Sequence, residues 1–153
     1  MRRRRAGFTF VEILTAMTII AILAGIVVPK LADTVTRAKA TVIATSVQNV
    51  SEAVANYSVT HTTYPPTAAM GVVPDSLQQE LGANAFLKTD YALQYNNWKL
   101  WTMLNGRPSL TSIVGVTVQI KDQRLGQLVL AQLAKQYPHF QWGQNYTFIV
   151  YGL

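Results

Sequence analysis

Apolar residues fill the first part of the chain almost without interruption. From Phe8 to Val28 the sequence reads FTFVEILTAMTIIAILAGIVV, 21 residues in which Glu12 is the one charged residue. As an α-helix this stretch would be about 31 Å long, enough to cross the hydrocarbon core of a bilayer. Four arginines, Arg2–Arg5, precede it. The positive-inside rule therefore predicts a membrane-anchored helix with its amino-terminal side in the cytoplasm and the rest of the chain on the opposite side.

Beyond Val28 the apolar positions recur at steps of three and four, the period of an amphipathic helix. The apolar stripe comprises Leu31, Val35, Ala38, Val42, Ile43, Val47, Val50, Val54 and Tyr57. Glycine is absent from 26 to 70, and no proline lies between 29 and 65. The pattern predicts one helix over about residues 8–58. Its membrane half is 8–28, and its amphipathic half, 29–58, packs through the stripe on the domain that follows.

The remaining residues, 59–153, predict a globular α+β head. The predicted elements are two strands within 91–103 joined by a hairpin turn at Asn96-Asn97, a second turn at 105–108, a strand from Ile113 to Ile120, a helix opened by Asp122, and a final strand from Tyr146 to Tyr151. The fold class expected is therefore α+β. A long amino-terminal helix packs on a small antiparallel or mixed sheet, with one extra helix.

Charge and cysteine content exclude two classes of function. The net charge is +6, but removing Arg2–Arg5 from the 13 Lys and Arg leaves 9 against 7 Asp and Glu. A strongly basic nucleic-acid surface is thus not expected beyond Arg5. The chain has no cysteine, which excludes a disulfide framework and a thiolate nucleophile or metal site.

The hexapeptide from Gly7 to Glu12, GFTFVE, together with the basic leader and the apolar helix, resembles the signature of type IV pilins and type II secretion pseudopilins. The resemblance covers about residues 1–65. It implies a leader, residues 1–7, that a prepilin peptidase removes between Gly7 and Phe8, followed by N-methylation of Phe8. It also implies a pilin-like fold.

Three further residues are candidate assembly residues. Glu12 is costly inside a membrane, although a helix macrodipole favours an acid near its start. The resemblance implies that Glu12 pairs with the Phe8 amine of a neighbouring subunit. Pro29 lacks an N–H, so the carbonyl of Gly25 loses its helical donor. This predicts a bend, or a point where the helix can melt locally in a filament.

The resemblance implies a pilin-like structural subunit of a bacterial filament, either a type II secretion pseudopilus or a type IV pilus. Expected partners are other pilin-like subunits, the prepilin peptidase, an inner-membrane assembly platform and the lipid bilayer. The chain would span the inner membrane once, with a cytoplasmic amino terminus and a periplasmic or extracellular head, and then enter the filament. One alternative is a signal-anchored periplasmic binding module.

The second alternative is a DNA-binding minor pilin. Its stacking platform would combine Tyr95, Trp98 and Trp101 near Lys99. Aromatic residues in a sheet more often fill a core or an interface, so DNA is not the favoured partner.

No residue pattern points to catalysis, a cofactor or a metal. His61 and His139 are far apart, and the carboxylates of the head are scattered along the sequence. Major pseudopilins bind calcium near the carboxyl terminus, but here no Asp or Glu follows Asp122. We therefore expect a protein that is not an enzyme and has no bound cofactor.

Overall fold

The first element of the fold is a single long helix. The computed structural model describes residues 8–104 and 106–152, so the predicted leader, 1–7, lies outside the described residues. Helix α1 runs from Phe10 to His61 and contains Pro29 within its length. The prediction of one continuous helix is confirmed. By internal contacts the chain divides into two units, which meet in sequence between Thr36 and Arg37.

The second unit contains a four-stranded antiparallel sheet. Its strands are β1 (Tyr91–Leu104), β2 (Arg107–Ile120), β3 (His139–Trp142) and β4 (Asn145–Tyr151), in the spatial order β1-β2-β4-β3. All three strand pairs are antiparallel. The predicted α+β fold class is therefore confirmed, and the sheet is antiparallel rather than mixed.

Two short elements and one longer helix complete the head. A 3₁₀ turn, Asp75–Leu77, leads directly into the short helix α2, Gln78–Leu81. Helix α3, Gln123–Leu133, connects β2 to β3. As predicted, Asp122 opens this helix: its carboxylate accepts hydrogen bonds from the backbone N–H groups of Arg124 and Leu125.

One face of the sheet and the last part of α1 form the core. The buried residues of α1 are Ala40, Ile43, Ala44, Val47, Val50, Ser51, Ala53 and Val54. They join inward-facing side chains of β1, β2 and β4 and the apolar face of α3. The predicted stripe is thus correct from Ile43 onward. It is wrong at Leu31, Val35, Ala38 and Val42, which are exposed.

One local prediction in the sheet was also wrong, and one strand was not predicted. Asn96-Asn97 forms no turn, because β1 continues through both residues. The Asn96 side chain instead donates to the Thr117 hydroxyl on β2, and Asn97 donates to the carbonyl oxygen of Pro65. Tertiary partners therefore override the turn preference of this dipeptide. Strand β3 was not predicted, since its four residues are exposed and carry no periodic pattern.

Candidate functional site

The amino-terminal end of α1 is organised around Thr9 and Glu12. The Thr9 N–H and hydroxyl both donate to Oε2 of Glu12, at 2.8 and 2.9 Å. In return, the Glu12 N–H donates to the Thr9 hydroxyl at 3.3 Å. This reciprocal arrangement is a capping box, which satisfies backbone donors left unpaired at a helix start. It explains why an acid is tolerated here, and the spacing T-x-x-E could have revealed it from the sequence.

The apolar helix that follows is exposed throughout. Among the described residues, one helix is long and apolar enough to cross a membrane, and none of its apolar window is buried. Its hydroxyl groups are satisfied within the helix: Thr15 donates to the carbonyl of Val11 and Thr18 to that of Leu14. Internal satisfaction of polar groups is what a helix in lipid requires.

Gly25 and Pro29 lie in the same exposed stretch of α1. The helix continues through Pro29, although proline leaves the Gly25 carbonyl without its usual donor. Among the described residues, no atom outside the adjacent helix backbone lies within 4 Å of the position that a Cβ on Gly25 would occupy. Packing within the described chain therefore does not require glycine at this position, and its physical effect is to weaken the helix locally.

The aromatic residues of the supposed stacking platform do not share one surface. Tyr95 is buried, and burial raises the pKa of its hydroxyl far above the usual value. Trp98 lies over Gly115 and near Phe140, with ring centroids 6.4 Å apart. Trp101 is 75% exposed and, by its register on β1, projects from the face of the sheet opposite to that of Trp98. The structure thus separates the three rings.

The histidines pack against aromatic rings. His61 stacks on Tyr57, with centroids 4.0 Å apart, and His139 lies against Phe148. Within the described residues, no group of three or more His, Cys, Asp or Glu side chains could hold a metal ion.

Comparison with known proteins points to the amino-terminal segment. Residues 2–28 match the family model described as the prokaryotic N-terminal methylation motif. The chain therefore carries this methylation motif. The resemblance stated from GFTFVE is thereby confirmed for this segment. The motif includes Gly7, which lies outside the described residues, as well as the Thr9–Glu12 capping box.

One curated relative matches a longer stretch of the chain. The type II secretion system core protein G of Pseudomonas aeruginosa is 35% identical over 66 residues, which is 43% of this chain and 46% of that protein. The match thus spans about half the length of the relative. No solved structure matches the chain.

Proposed function

We propose that this chain is a pilin-like structural subunit of a bacterial filament, assembled through α1. The observation that carries the proposal is the methylation motif over residues 2–28 on a helix whose apolar window is wholly exposed. Such a surface needs either lipid or other subunits around it, because exposing apolar surface to water is costly in free energy. A filament subunit meets both environments in turn, first as a membrane protein and then as part of a helical bundle.

Processing follows from the same segment. Phe8 precedes the first turn of α1 and is 85% exposed. Cleavage between Gly7 and Phe8 by a prepilin peptidase would leave a new amine on Phe8, which is then methylated. The amine would lie four residues before Glu12 in sequence.

Glu12 then has two tasks. Its bonds to Thr9 begin the helix, and its negative charge pairs with the Phe8 amine of the adjacent subunit. A charge within a membrane is costly, and pairing during assembly removes that cost for both groups. Gly25 and Pro29 weaken the hydrogen bonding of α1 locally. The helices of packed subunits can therefore bend or extend at this point.

The similarity to core protein G favours the type II secretion pseudopilus over the type IV pilus. The proposed partners are other pilin-like subunits, the peptidase, the inner-membrane assembly platform and the bilayer. In the membrane the chain spans once, with a cytoplasmic amino terminus and a periplasmic head. Its role is structural rather than catalytic.

The first experiment measures the intact mass of the full chain purified from membranes, with and without a co-expressed prepilin peptidase. We expect the peptidase to remove Met1–Gly7 and the product to gain one methyl group. A chain that keeps its leader in the presence of an active peptidase would instead be a signal-anchored module, and the proposal would fail.

The second experiment separates the two tasks of Glu12. In Glu12→Gln the side chain can still cap the helix with Thr9, but it has no charge. In Glu12→Ala both functions are lost. We expect both variants to insert and to be cleaved, and both to be defective in filament formation seen by electron microscopy. Normal filaments from Glu12→Gln would show that capping alone is needed, which contradicts the pairing role.

A further inference from the structure

Beyond the four-stranded part of the sheet, β1 and β2 continue as a two-stranded arm. We define the hairpin arm as residues 98–104 and 107–113, paired from Trp98↔Ile113 to Leu104↔Arg107. In the described part of the chain, β4 pairs with β2 only from Val114 to Gln119. Segment 65–71 is hydrogen-bonded to β1 as far as Asn97. Trp98, at the base of the arm, lies near Phe140. Because a two-stranded hairpin is marginally stable in water unless one face is packed, the rest of the arm would be stabilised by a partner.

One face of the hairpin arm carries four apolar side chains beyond a Lys-Ser pair. Lys99, Trp101 and Met103 project to the same side of β1, and their cross-strand partners on β2 are Ser112, Leu110 and Pro108. Trp101 and Met103 are each 75% exposed, and Leu110 is 50% exposed. This is the face that carries the core further along the same strands, but here the described chain leaves its large apolar side chains half or more exposed. A contiguous exposed apolar face is typical of a protein contact.

Two segments of the chain carry charges of opposite sign. Residues 91–121 carry Lys99, Arg107 and Lys121 and no Asp or Glu. Residues 40–87 carry Glu52, Asp75 and Glu80 and no Lys or Arg, and all three acids are exposed. Asp75 and Glu80 lie within the short segment 72–81, where Val72 adds an exposed apolar side chain. The arm and segment 72–81 are therefore complementary in charge, and both present apolar surface.

We propose that the hairpin arm of one subunit docks on segment 72–81 of a second copy of this chain. Lys99 would face the acids Asp75 and Glu80, and Trp101 and Met103 would cover Val72. Two different patches in contact form a head-to-tail interface, which can propagate into a helical filament. The proposal rests on the proposed filament function, because only an assembly brings the second copy into position.

The test uses the full chain in bacterial membranes with the peptidase present. Since the chain has no cysteine, two copies with different tags can each carry one: Met103→Cys on the first and Gln79→Cys on the second. The matched control for the second copy is Gln127→Cys, another exposed helical glutamine. We expect a short bismaleimide to cross-link Met103→Cys to Gln79→Cys at least tenfold more than to Gln127→Cys. Equal yields would overturn the proposal.

Charge reversal then tests the complementarity. Lys99→Glu on the first copy should lower the cross-link yield several-fold, and so should Glu80→Lys on the second. The two together should restore it, whereas Lys135→Glu, an exposed lysine outside the arm, should have no effect. Trp101→Ala should lower the yield, while Trp142→Ala, at another exposed tryptophan, should not. Failure of the double reversal to restore the yield would contradict the proposed contact.

Two further readouts separate the competing explanations. The intact mass of the same samples reports leader removal, so a processed chain without the cross-link refutes the arm contact and leaves the filament function standing. A gel shift with duplex DNA tests whether the hairpin arm, which carries basic and aromatic residues, binds DNA instead. If Lys99→Glu abolishes DNA binding but leaves the cross-link unchanged, the arm is a nucleic-acid surface and the proposal is overturned.

Discussion

The two ends of α1 contain similar apolar residues in different surroundings. From Ala40 to Val54 eight residues of the helix are buried in the head core. From Phe8 to Val35 the large apolar side chains are exposed. Apolar character alone therefore does not tell which surface will cover a helix. The second stretch is covered by the sheet of its own chain. The described chain leaves the first stretch uncovered, and lipid and other subunits are the cover that we propose for it.

Two isoleucines on α1, one buried and one exposed, test this comparison with the largest expected change in stability. Ile43 is 1% exposed and Ile26 is 56% exposed, and both lie on α1. We expect Ile43→Ala to lower the free energy of unfolding of the head by about 2–5 kcal/mol, because it removes buried methylene groups and leaves a cavity. Ile26→Ala should leave that free energy unchanged.

The measurement is urea unfolding of the full chain in detergent, followed by tryptophan fluorescence. All three tryptophans, Trp98, Trp101 and Trp142, lie in the head, so the signal reports on that unit. A comparable loss of stability from Ile26→Ala would show that the exposed stretch contributes to head folding and would break the distinction between the two ends.

The features predicted correctly from the sequence are those that depend on residues close together in the chain. The GFTFVE hexapeptide, the uninterrupted helical period and the cap at Asp122 each depend on neighbouring residues, and each was predicted. The apolar stripe could not show that Leu31 and Val42 would remain exposed, because both burial and lipid contact favour the same residue types. Nor could the sequence show that Asn96 would find Thr117, 21 residues away along the chain.

The candidate site was also predicted in part. The motif and the chemistry of proline indicate five site residues, Gly7, Phe8, Glu12, Gly25 and Pro29. Their roles in processing and assembly are proposals. The capping bonds of Glu12 were not predicted, although the T-x-x-E spacing at Thr9–Glu12 is present in the sequence. The exposed hairpin arm was hidden as well, because the predicted turn at Asn96-Asn97 cut β1 in two.

Two helical glycines give the next comparison. A Cβ on Gly126 of α3 would collide with the ring and hydroxyl group of Tyr146, whereas the space beside Gly25 is open. Tyr146 is itself 2% exposed, so its ring cannot move aside freely. We expect Gly126→Ala to destabilise the head by about 1–3 kcal/mol through overpacking.

Gly25→Ala should leave head stability unchanged and strengthen the exposed part of α1, since alanine favours a helix by about 1 kcal/mol over glycine. Urea unfolding tests the first expectation, and amide hydrogen exchange around residue 25 tests the second. If Gly126→Ala were as stable as the parent chain, the close approach of α3 to Tyr146 would not be a constraint on the core.

The two helix caps give the smallest expected effect and the finest comparison. Asp122 caps α3 within the head, and Thr9 caps α1 in the exposed stretch. Asp122→Ala should lower the free energy of unfolding of the head by about 1 kcal/mol, because the N–H groups of Arg124 and Leu125 lose their acceptor. Asp122→Asn is the matched control: it keeps an acceptor oxygen at the same position and should retain most of the stability.

Thr9→Ala should leave the urea midpoint of the head unchanged and speed hydrogen exchange in the first turn of α1. A shift of that midpoint by Thr9→Ala would mean that the start of α1 is coupled to the head, and the two ends of the helix would then have to be treated as one cooperative unit.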